Sequence, residues 1–325
     1  MRTVRPFSLR SIFSGLLALA MCTSSSAQTT DQIQVAIEYG LGYAPLYVVA
    51  KKPEFIHKYL PGAEISIQHL AGGPAVRDAL LAGTVDIGGL GVAPVIQAAD
   101  KGVDLKIAVG MAFVPTALIT YRDDIKSVRD LKASDKVNVV SSSSLQAMEM
   151  KMAADAYFNN PSALDGNMAT ISHPAAVTAV EKHEMTGEFA TPPFIRALLR
   201  EPGMHVILSN HDFAAADCMP ILAAASGHFH DRTKEYDAVV HAIGDAIAWM
   251  NANPKAAADF LAADQGGTMT AADWLAEIQQ PGVKFSTVPK GEAALAAFMQ
   301  KIGIVSKAAS YDDLTWPNLH GLGGT

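Results

Sequence analysis

Residues 78–91 read Asp-Ala-Leu-Leu-Ala-Gly-Thr-Val-Asp-Ile-Gly-Gly-Leu-Gly and pass from a helical pattern into a strand pattern. Just upstream, Val76, Ala79 and Leu80 recur at the spacing of one helix face, after the breaker Gly72-Gly73-Pro74. The next apolar run, 85–89, is short and bounded by glycine, which is typical of a buried strand. A helix leading directly into a buried strand predicts one half of a βαβ unit.

The same alternation continues on both sides of this stretch and predicts an α/β protein built from parallel βαβ units. The predicted strands are 33–37, 63–70, 85–89, 105–111, 116–121, 137–141, 168–172, 187–191, 205–209 and 221–225. The predicted helical segments are 46–50, 76–81, 94–100, 145–158, 175–183, 231–251, 254–263, 271–279 and 292–301.

The pattern breaks at Phe113-Val114-Pro115 and then starts again, which predicts two α/β lobes. No low-complexity linker separates them, so we expect the chain to cross between the lobes twice, near 114–116 and 218–220. The predicted boundaries are 28–114 for the first part of lobe one, 115–218 for lobe two and 219–325 for the rest of lobe one. After residue 225 we expect helices without further strands, packed on lobe one.

The first 27 residues have the pattern of a secretory signal: three arginines, a mostly apolar stretch, then Ser25-Ser26-Ala27. The apolar stretch is about half the ~20 residues that a spanning helix needs. We therefore expect export to the periplasm, with cleavage before Gln28. Cys22 has a poor lipoprotein context, because Met21 precedes it. Removing the signal would leave Cys218 as the one cysteine, so no disulfide within the chain is expected.

Composition excludes several classes of protein. Half of the residues are hydrophobic and 18% are charged, which fits a folded chain with a large core. The net charge of −7 gives no general basic surface for nucleic acid.

Three pairs of segments carry a resemblance to a known family. Residues 78–91 with 101–106, residues 127–132 with 136–144, and residues 249–254 with Phe298-Met299 follow the order and spacing of the NitT/TauT group. These are periplasmic substrate-binding proteins of ABC importers for nitrate, sulfonates, taurine and thiamine-precursor pyrimidines. The resemblance runs from about residue 33 to the end of the sequence.

The resemblance implies a two-lobed α/β fold of the type II periplasmic-binding-protein kind. It has two mixed sheets flanked by helices, with a helical C-terminal region on lobe one. Its function would be to capture a small organic or oxyanionic solute and deliver it to a membrane permease. Through the permease, the protein would also have a cytoplasmic ATPase as a partner. We expect a monomer without cofactor, metal or catalytic residues. Residues 187–194 depart from the pattern of many relatives, so no relative's ligand is carried over.

Ligands of open α/β sheets bind at the carboxyl ends of strands, where helix N-termini present backbone amides. Four predicted loops lie there, and with Thr116 they supply the candidate ligand-binding residues. These are Gly40, Tyr43, Gly89, Gly91, Val92, Thr116, Ser142, Ser143, Ser144, Glu188, Phe189 and Thr191. Each glycine pair can equally serve turn geometry, and the serines can cap the helix beginning near Leu145.

The first, third and lobe-two loops contain no Lys or Arg, which disfavours a polyanion such as a phosphate ester. Tyr43, Phe189 and Phe194 can face a planar ligand or pack in the core. Glu188 can pair with a ligand amine or remain a solvated carboxylate.

Two other functions stay open. The family also resembles pyrimidine synthases that bind pyridoxal phosphate through a lysine, and Lys51 and Lys52 lie near the first loop. A sensory protein that presents its ligand to a membrane receptor would use the same pocket. The pair His228 and His230 lacks a third metal ligand, so no metal site is predicted.

Overall fold

The computed structural model describes residues 31–212, 220–265 and 269–322. The predicted signal sequence with Cys22, and Cys218 at the second predicted crossing, lie outside these ranges.

Lobe one is built on a six-stranded sheet with the order β11-β4-β10-β3-β1-β2. Its strands are β1 (Gln32–Ile37), β2 (Glu64–His69), β3 (Ile87–Gly91), β4 (Leu105–Phe113), β10 (Pro220–Ser226) and β11 (Lys284–Phe285). β1 pairs in parallel with β2 and β3, whereas β10 runs antiparallel to β3 and β4. The carboxyl ends of β1 and β2 therefore meet at one edge of the sheet.

Lobe two is built on a five-stranded sheet with the order β7-β6-β8-β5-β9. Its strands are β5 (Ala117–Thr120), β6 (Val137–Asn138), β7 (Met168–Ala169), β8 (Gly187–Ala190) and β9 (His205–Ser209). β6 is parallel to β7 and β8, and β5 is antiparallel to β8 and β9.

Helices flank both sheets. They are α1 (Ala44–Lys51), α2 (Glu54–His57), α3 (Gly73–Leu81), α4 (Ala93–Asp100), α5 (Leu145–Phe158), α6 (His173–Glu181), α7 (Phe194–Leu199), α8 (Gly227–His230), α9 (Thr233–Ala252), α10 (Pro254–Gln265), α11 (Ala271–Gln279), α12 (Glu292–Lys301) and α13 (Tyr311–Leu314). In the described ranges, no helix combines the length and the apolar character needed to cross a membrane.

The predicted α/β architecture with two mixed sheets is confirmed, and α5, α11 and α12 have the predicted bounds. Two expectations are wrong. Lobe one is not built from parallel units alone, because β10 enters its sheet antiparallel. The C-terminal region also contains a strand, β11, which pairs with β4. A strand of two residues is too short to show an alternating pattern, so β11 was not predicted.

One apolar cluster joins the two lobes on the side of α4 and α5. Leu90 and Val92 of lobe one belong to the same buried group as Leu145 and Met148 of lobe two. This packing holds the lobes together over part of their interface. The lobe boundaries at 114/115 and 218/219 stay a prediction.

Candidate functional site

A cavity of about 480 Å³ lies between the lobes at the carboxyl ends of β1 and β2. Its size falls within the ~300–1,000 Å³ range of small-molecule sites. The lining residues come from four parts of the chain: Ile37, Glu38, Tyr39, Gly40, Tyr43, Ala44, Tyr47 and His69 of lobe one; Pro174, Pro193 and Phe194 of lobe two; Asp264 and Gln265 of α10; and Met269 and Trp274 at α11.

The buried carboxyl of the cavity belongs to Glu38, which directly follows β1 and is 5% exposed. The Gly91 amide donates a hydrogen bond to its Oε1 at 3.3 Å. Burial raises the pKa of Glu38 above its usual value, because a low-polarity environment disfavours the charged form. Hydrogen bonding to Tyr43 and the nearby charge of His173 offset this increase only in part. Burial thus favours the neutral form of Glu38 more than exposure to water would.

Aromatic rings form much of the wall. Tyr43, Tyr47 and Trp274 are buried, and Tyr39 stacks on His69 with ring centroids 4.8 Å apart. The Trp274 indole N–H finds no hydrogen-bond partner among the described residues. A buried donor without a partner is costly, so a polar group of a bound molecule would stabilise it.

The rim of the cavity carries Asp264, which accepts a hydrogen bond from the Tyr47 hydroxyl. This bond and burial raise the pKa of Tyr47 above its usual range, so the phenol stays protonated. His69 lies at the same rim, and its pKa is lowered by partial burial and by the charge of Lys51. The neutral imidazole is thereby favoured.

Lobe two closes the cavity with Phe194, which stacks on His173 at 5.1 Å. His173 is itself buried between two partners: its Nδ1 contacts Glu188 and its Nε2 lies 3.1 Å from the Gln146 amide. The chain Gln146, His173 and Glu188 thus fixes the orientation of the imidazole behind the wall.

Of the predicted site residues, Gly40 and Tyr43 line this cavity. Thr191 lies directly against Gly40, because a Cβ atom built on Gly40 would be 3.2 Å from the Thr191 hydroxyl. Glu188 and Phe189 are fully buried in β8, behind the cavity wall. Burial raises the pKa of Glu188, while the contact with His173 lowers it.

The predicted glycine loop after the third strand is part of the strand itself. Gly89 and Gly91 lie within β3, and Val92 is the residue before α4. A Cβ atom at Gly89 would lie 3.0 Å from both Ile37 and Tyr43. Gly89 therefore sits behind residues that form the wall, and neither glycine belongs to the cavity lining.

The predicted serines and Thr116 are placed away from the cavity. Ser144 caps α5, with its Oγ accepting a 3.1 Å hydrogen bond from the Ala147 amide. Ser142 borders a separate surface depression with Met148, and Ser143 lines neither. The Thr116 hydroxyl donates to Glu149 at 2.9 Å in the interior. Ligand contact by these four residues stays a prediction without support from the cavity.

Sequence reasoning missed most of the cavity lining, including the polar and aromatic residues Glu38, Tyr47, His69, Asp264 and Trp274. Glu38 and His69 could have been found, because each lies at the carboxyl end of a predicted parallel strand. Asp264 and Trp274 come from the helical C-terminal region, for which the sequence gives no position relative to the strand ends.

Two kinds of chemistry find no support in the described ranges. No group of three His, Cys, Asp or Glu side chains there could hold a metal ion. Lys51 and Lys52, considered for a Schiff base, are absent from the described lining of the cavity. Lys52 pairs with Glu54 at 2.6 Å, and the Lys51 ammonium lies 5.9 Å from the centre of the Tyr47 ring.

Comparison with known proteins gives one family match. A model of the NMT1-like family matches residues 26–263. No curated protein sequence shows a significant match.

Three solved structures share the fold. The periplasmic aliphatic sulphonate binding protein SsuA from Escherichia coli is 20% identical, with a TM-score of 0.63 over 90% of this chain and 99% of SsuA. The ligand-binding component of an ABC-type import system from Staphylococcus aureus, solved with zinc bound, is 14% identical, with a TM-score of 0.71. The match covers 89% of this chain and 98% of the Staphylococcus aureus chain. The periplasmic nitrate-binding protein NrtA from Synechocystis is 14% identical, with a TM-score of 0.70. The match covers 88% of this chain and 84% of NrtA.

Proposed function

We propose that this chain, which belongs to the NMT1-like family, is the extracytoplasmic solute-binding protein of an ABC-type importer. Membership confirms the resemblance seen in the sequence. The protein would capture a small organic solute between its lobes and deliver it to a membrane permease, which a cytoplasmic ATPase drives. It would work in the periplasm as a monomer, after removal of its signal sequence.

The cavity between the lobes is the observation that carries this proposal. It is walled by buried rings, one buried carboxyl and one indole N–H without a partner among the described residues. Apolar walls with a few placed polar groups are the usual design of a small-molecule site. The NMT1-like match and the importer components that share the fold favour transport as the purpose of that binding.

Contacts across the lobes explain how closure would be coupled to capture. The Leu41 amide of lobe one donates to the Pro192 carbonyl oxygen of lobe two at 2.8 Å. A solute touching both walls would add to such contacts, and so would favour the closed state by its greater affinity for it. Release to the permease would need those contacts to break.

Thermal melting in the presence of candidate solutes tests the proposal. A solute at 100 times its dissociation constant adds about 2.7 kcal/mol to the free energy of unfolding. The compounds should include whatever small molecule native mass spectrometry finds copurified with the protein.

Tryptophan fluorescence locates the binding. Trp274 lines the cavity, whereas Trp249 packs on Phe55 and Trp316 stacks on His230. We expect a solute-dependent change in emission that Trp274→Phe abolishes and Trp249→Phe preserves. If no solute moves the melting temperature or the emission, the proposal is wrong.

A further inference from the structure

The cavity lining contains acidic side chains. Two carboxyls, Glu38 and Asp264, belong to it, and no Lys or Arg does among the residues that the structure describes. The Lys51 ammonium lies outside the described lining, 5.9 Å from the centre of the Tyr47 ring. A bound anion would therefore meet two carboxyls without a lining cation to balance them.

Glu38 lacks a full positive partner. Buried carboxylates are normally paired with a cation, yet the groups acting on Glu38 are Tyr43, two backbone amides and the His173 charge. His173 is already shared, because its Nδ1 contacts Glu188. Even if His173 were protonated, its single positive charge would be shared between the two buried carboxyls of Glu38 and Glu188.

The backbone amides at this corner offer little to an anion. The Leu41 amide donates to Pro192 and the Tyr43 amide donates to Gly40. Pro45, in the first turn of α1, has no N–H to give. The helix N-terminus, which often binds anions, is thus largely occupied here.

The rings supply the complementary feature. Tyr39, Tyr43, Tyr47, Phe194 and Trp274 all line the cavity, and aromatic faces attract cations by about 0.5–2 kcal/mol each. Aromatic walls together with a buried carboxyl in the same lining suit an organic cation. The volume of about 480 Å³ also leaves room for an apolar body attached to the charge.

Resting on the proposed function, we propose that the solute is an organic cation, an ammonium or a protonated ring nitrogen on an apolar body, held against Glu38. Asp264 at the rim adds a second attraction. The Trp274 N–H would be satisfied by an acceptor atom on the body of the solute.

This assignment fixes the sign of the pH dependence. A cation favours the ionised carboxylate, and burial raises the pKa of Glu38 in the empty protein. Binding therefore releases protons at low pH, and affinity increases as pH rises. The facing groups act in the same direction, since protonation of His173 or His69 would add repulsion. A neutral solute that accepts a hydrogen bond from protonated Glu38 would show the opposite trend.

The experiment is titration calorimetry with charge-matched probes. Each organic ammonium ion in the panel is compared with its neutral alcohol and with its sulfonate, for example benzylammonium, benzyl alcohol and benzylsulfonate. Quaternary ammonium ions and N-methylated heteroaromatic cations complete the panel, because their charge does not change with pH. We expect binding by members of the cation class alone, with affinity rising between pH 5 and pH 8.

Matched variants locate the charge. Glu38→Gln should weaken cation binding at least tenfold, while Glu149→Gln, which changes a buried acid outside the cavity lining, should leave it within twofold. Asp264→Asn should weaken binding less, and Asp245→Asn is its control because Asp245 also accepts a tyrosine hydroxyl, from Tyr59 at 2.8 Å. If the Glu38→Gln variant does not fold, calorimetry of the wild-type protein is repeated in two buffers that differ in ionisation enthalpy. The difference in binding heat measures the protons released when a cation binds, which tests the same carboxyl.

The outcomes separate the two proposals. Binding of a sulfonate or neutral probe that quenches Trp274 and is unaffected by Glu38→Gln would overturn the cation assignment and keep the solute-binding function. Cation binding that weakens as pH rises would also overturn it. Failure of every probe and of every copurified molecule to bind would overturn both.

Discussion

The amide of Leu41 lies 2.8 Å from the carbonyl oxygen of Pro192 and donates a hydrogen bond to it across the two lobes. Leu41 belongs to the turn after β1, and Pro192 belongs to the loop after β8. The strand ends of both sheets therefore meet beside the cavity. A rotation that separates these two strand ends would break this contact.

A second link between the lobes gives the first prediction. Arg196 of α7 contacts the carboxylate of Glu277 in α11, which is 1% exposed. Arg196→Met would leave that carboxylate buried without a cation and should cost about 1–3 kcal/mol of stability. It should also weaken closure, visible as a larger radius of gyration by small-angle X-ray scattering and a lower solute affinity.

Arg200→Met is the control for this link. Arg200, the residue after α7, pairs with Asp273 of α11, and both groups are more exposed than Arg196 and Glu277. Exposed pairs contribute about 0–1 kcal/mol. Equal effects of the two substitutions on melting and on the radius of gyration would contradict the role given to Arg196.

The second prediction concerns packing under β11. A Cβ atom at Gly110 would lie 2.8 Å from the Pro289 nitrogen and 2.9 Å from the Ser286 carbonyl oxygen. Both are backbone atoms, which cannot rotate away, so Gly110→Ala should destabilise by about 1–3 kcal/mol. Gly166→Ala, with nothing within 4 Å of its new Cβ atom, is the matched control in urea denaturation. A Gly110→Ala protein as stable as the control would refute this placement of the 286–289 segment.

The third prediction is a pH dependence of stability. Glu149 is fully buried, accepts the Thr116 hydroxyl at one oxygen and has no partner among the described residues at the other. Burial raises the pKa of Glu149 to about 8. From the usual value near 4.5 up to about 8, the unfolded chain ionises while the folded protein keeps its proton. The contribution of Glu149 to the free energy of unfolding has its full value below pH 4.5. Across the window from 4.5 to about 8, the free energy of unfolding decreases by about 1.4 kcal/mol per pH unit.

Glu149→Gln removes this dependence. The variant should gain stability over the wild type as pH rises from 5 to 8, measured by chemical denaturation at several pH values. Glu54→Gln is the control, because Glu54 is exposed and its pKa is lowered by Lys52. A difference between Glu149→Gln and wild type that does not grow with pH would show that this carboxyl is not neutral in the folded protein.

The fold was largely predictable because its signals are local. Most strands are short apolar runs beside amphipathic helices, and the helices at 145–158, 271–279 and 292–301 start and end as predicted. The direction of β10 was not predictable, because strand pairing between residues more than a hundred positions apart depends on packing. The same reason hid β11, which forms by pairing with β4.

The candidate site was predictable only at one corner. Gly40 and Tyr43 follow a strand, and the rule for carboxyl ends of strands finds them. The same rule misplaced Gly91, because the β3 strand continues through it and Leu145 would lie 3.0 Å from a Cβ atom there. Trp274 reaches the cavity through the packing of α11, which no local pattern encodes.

A crystal structure of the protein with the solute that copurifies with it tests the central claim most directly. The account predicts one molecule in the cavity, with a positively charged nitrogen against Glu38 and its body against Tyr43 and Trp274. A stoichiometric solute bound anywhere else, with these three side chains touching only water, would contradict it.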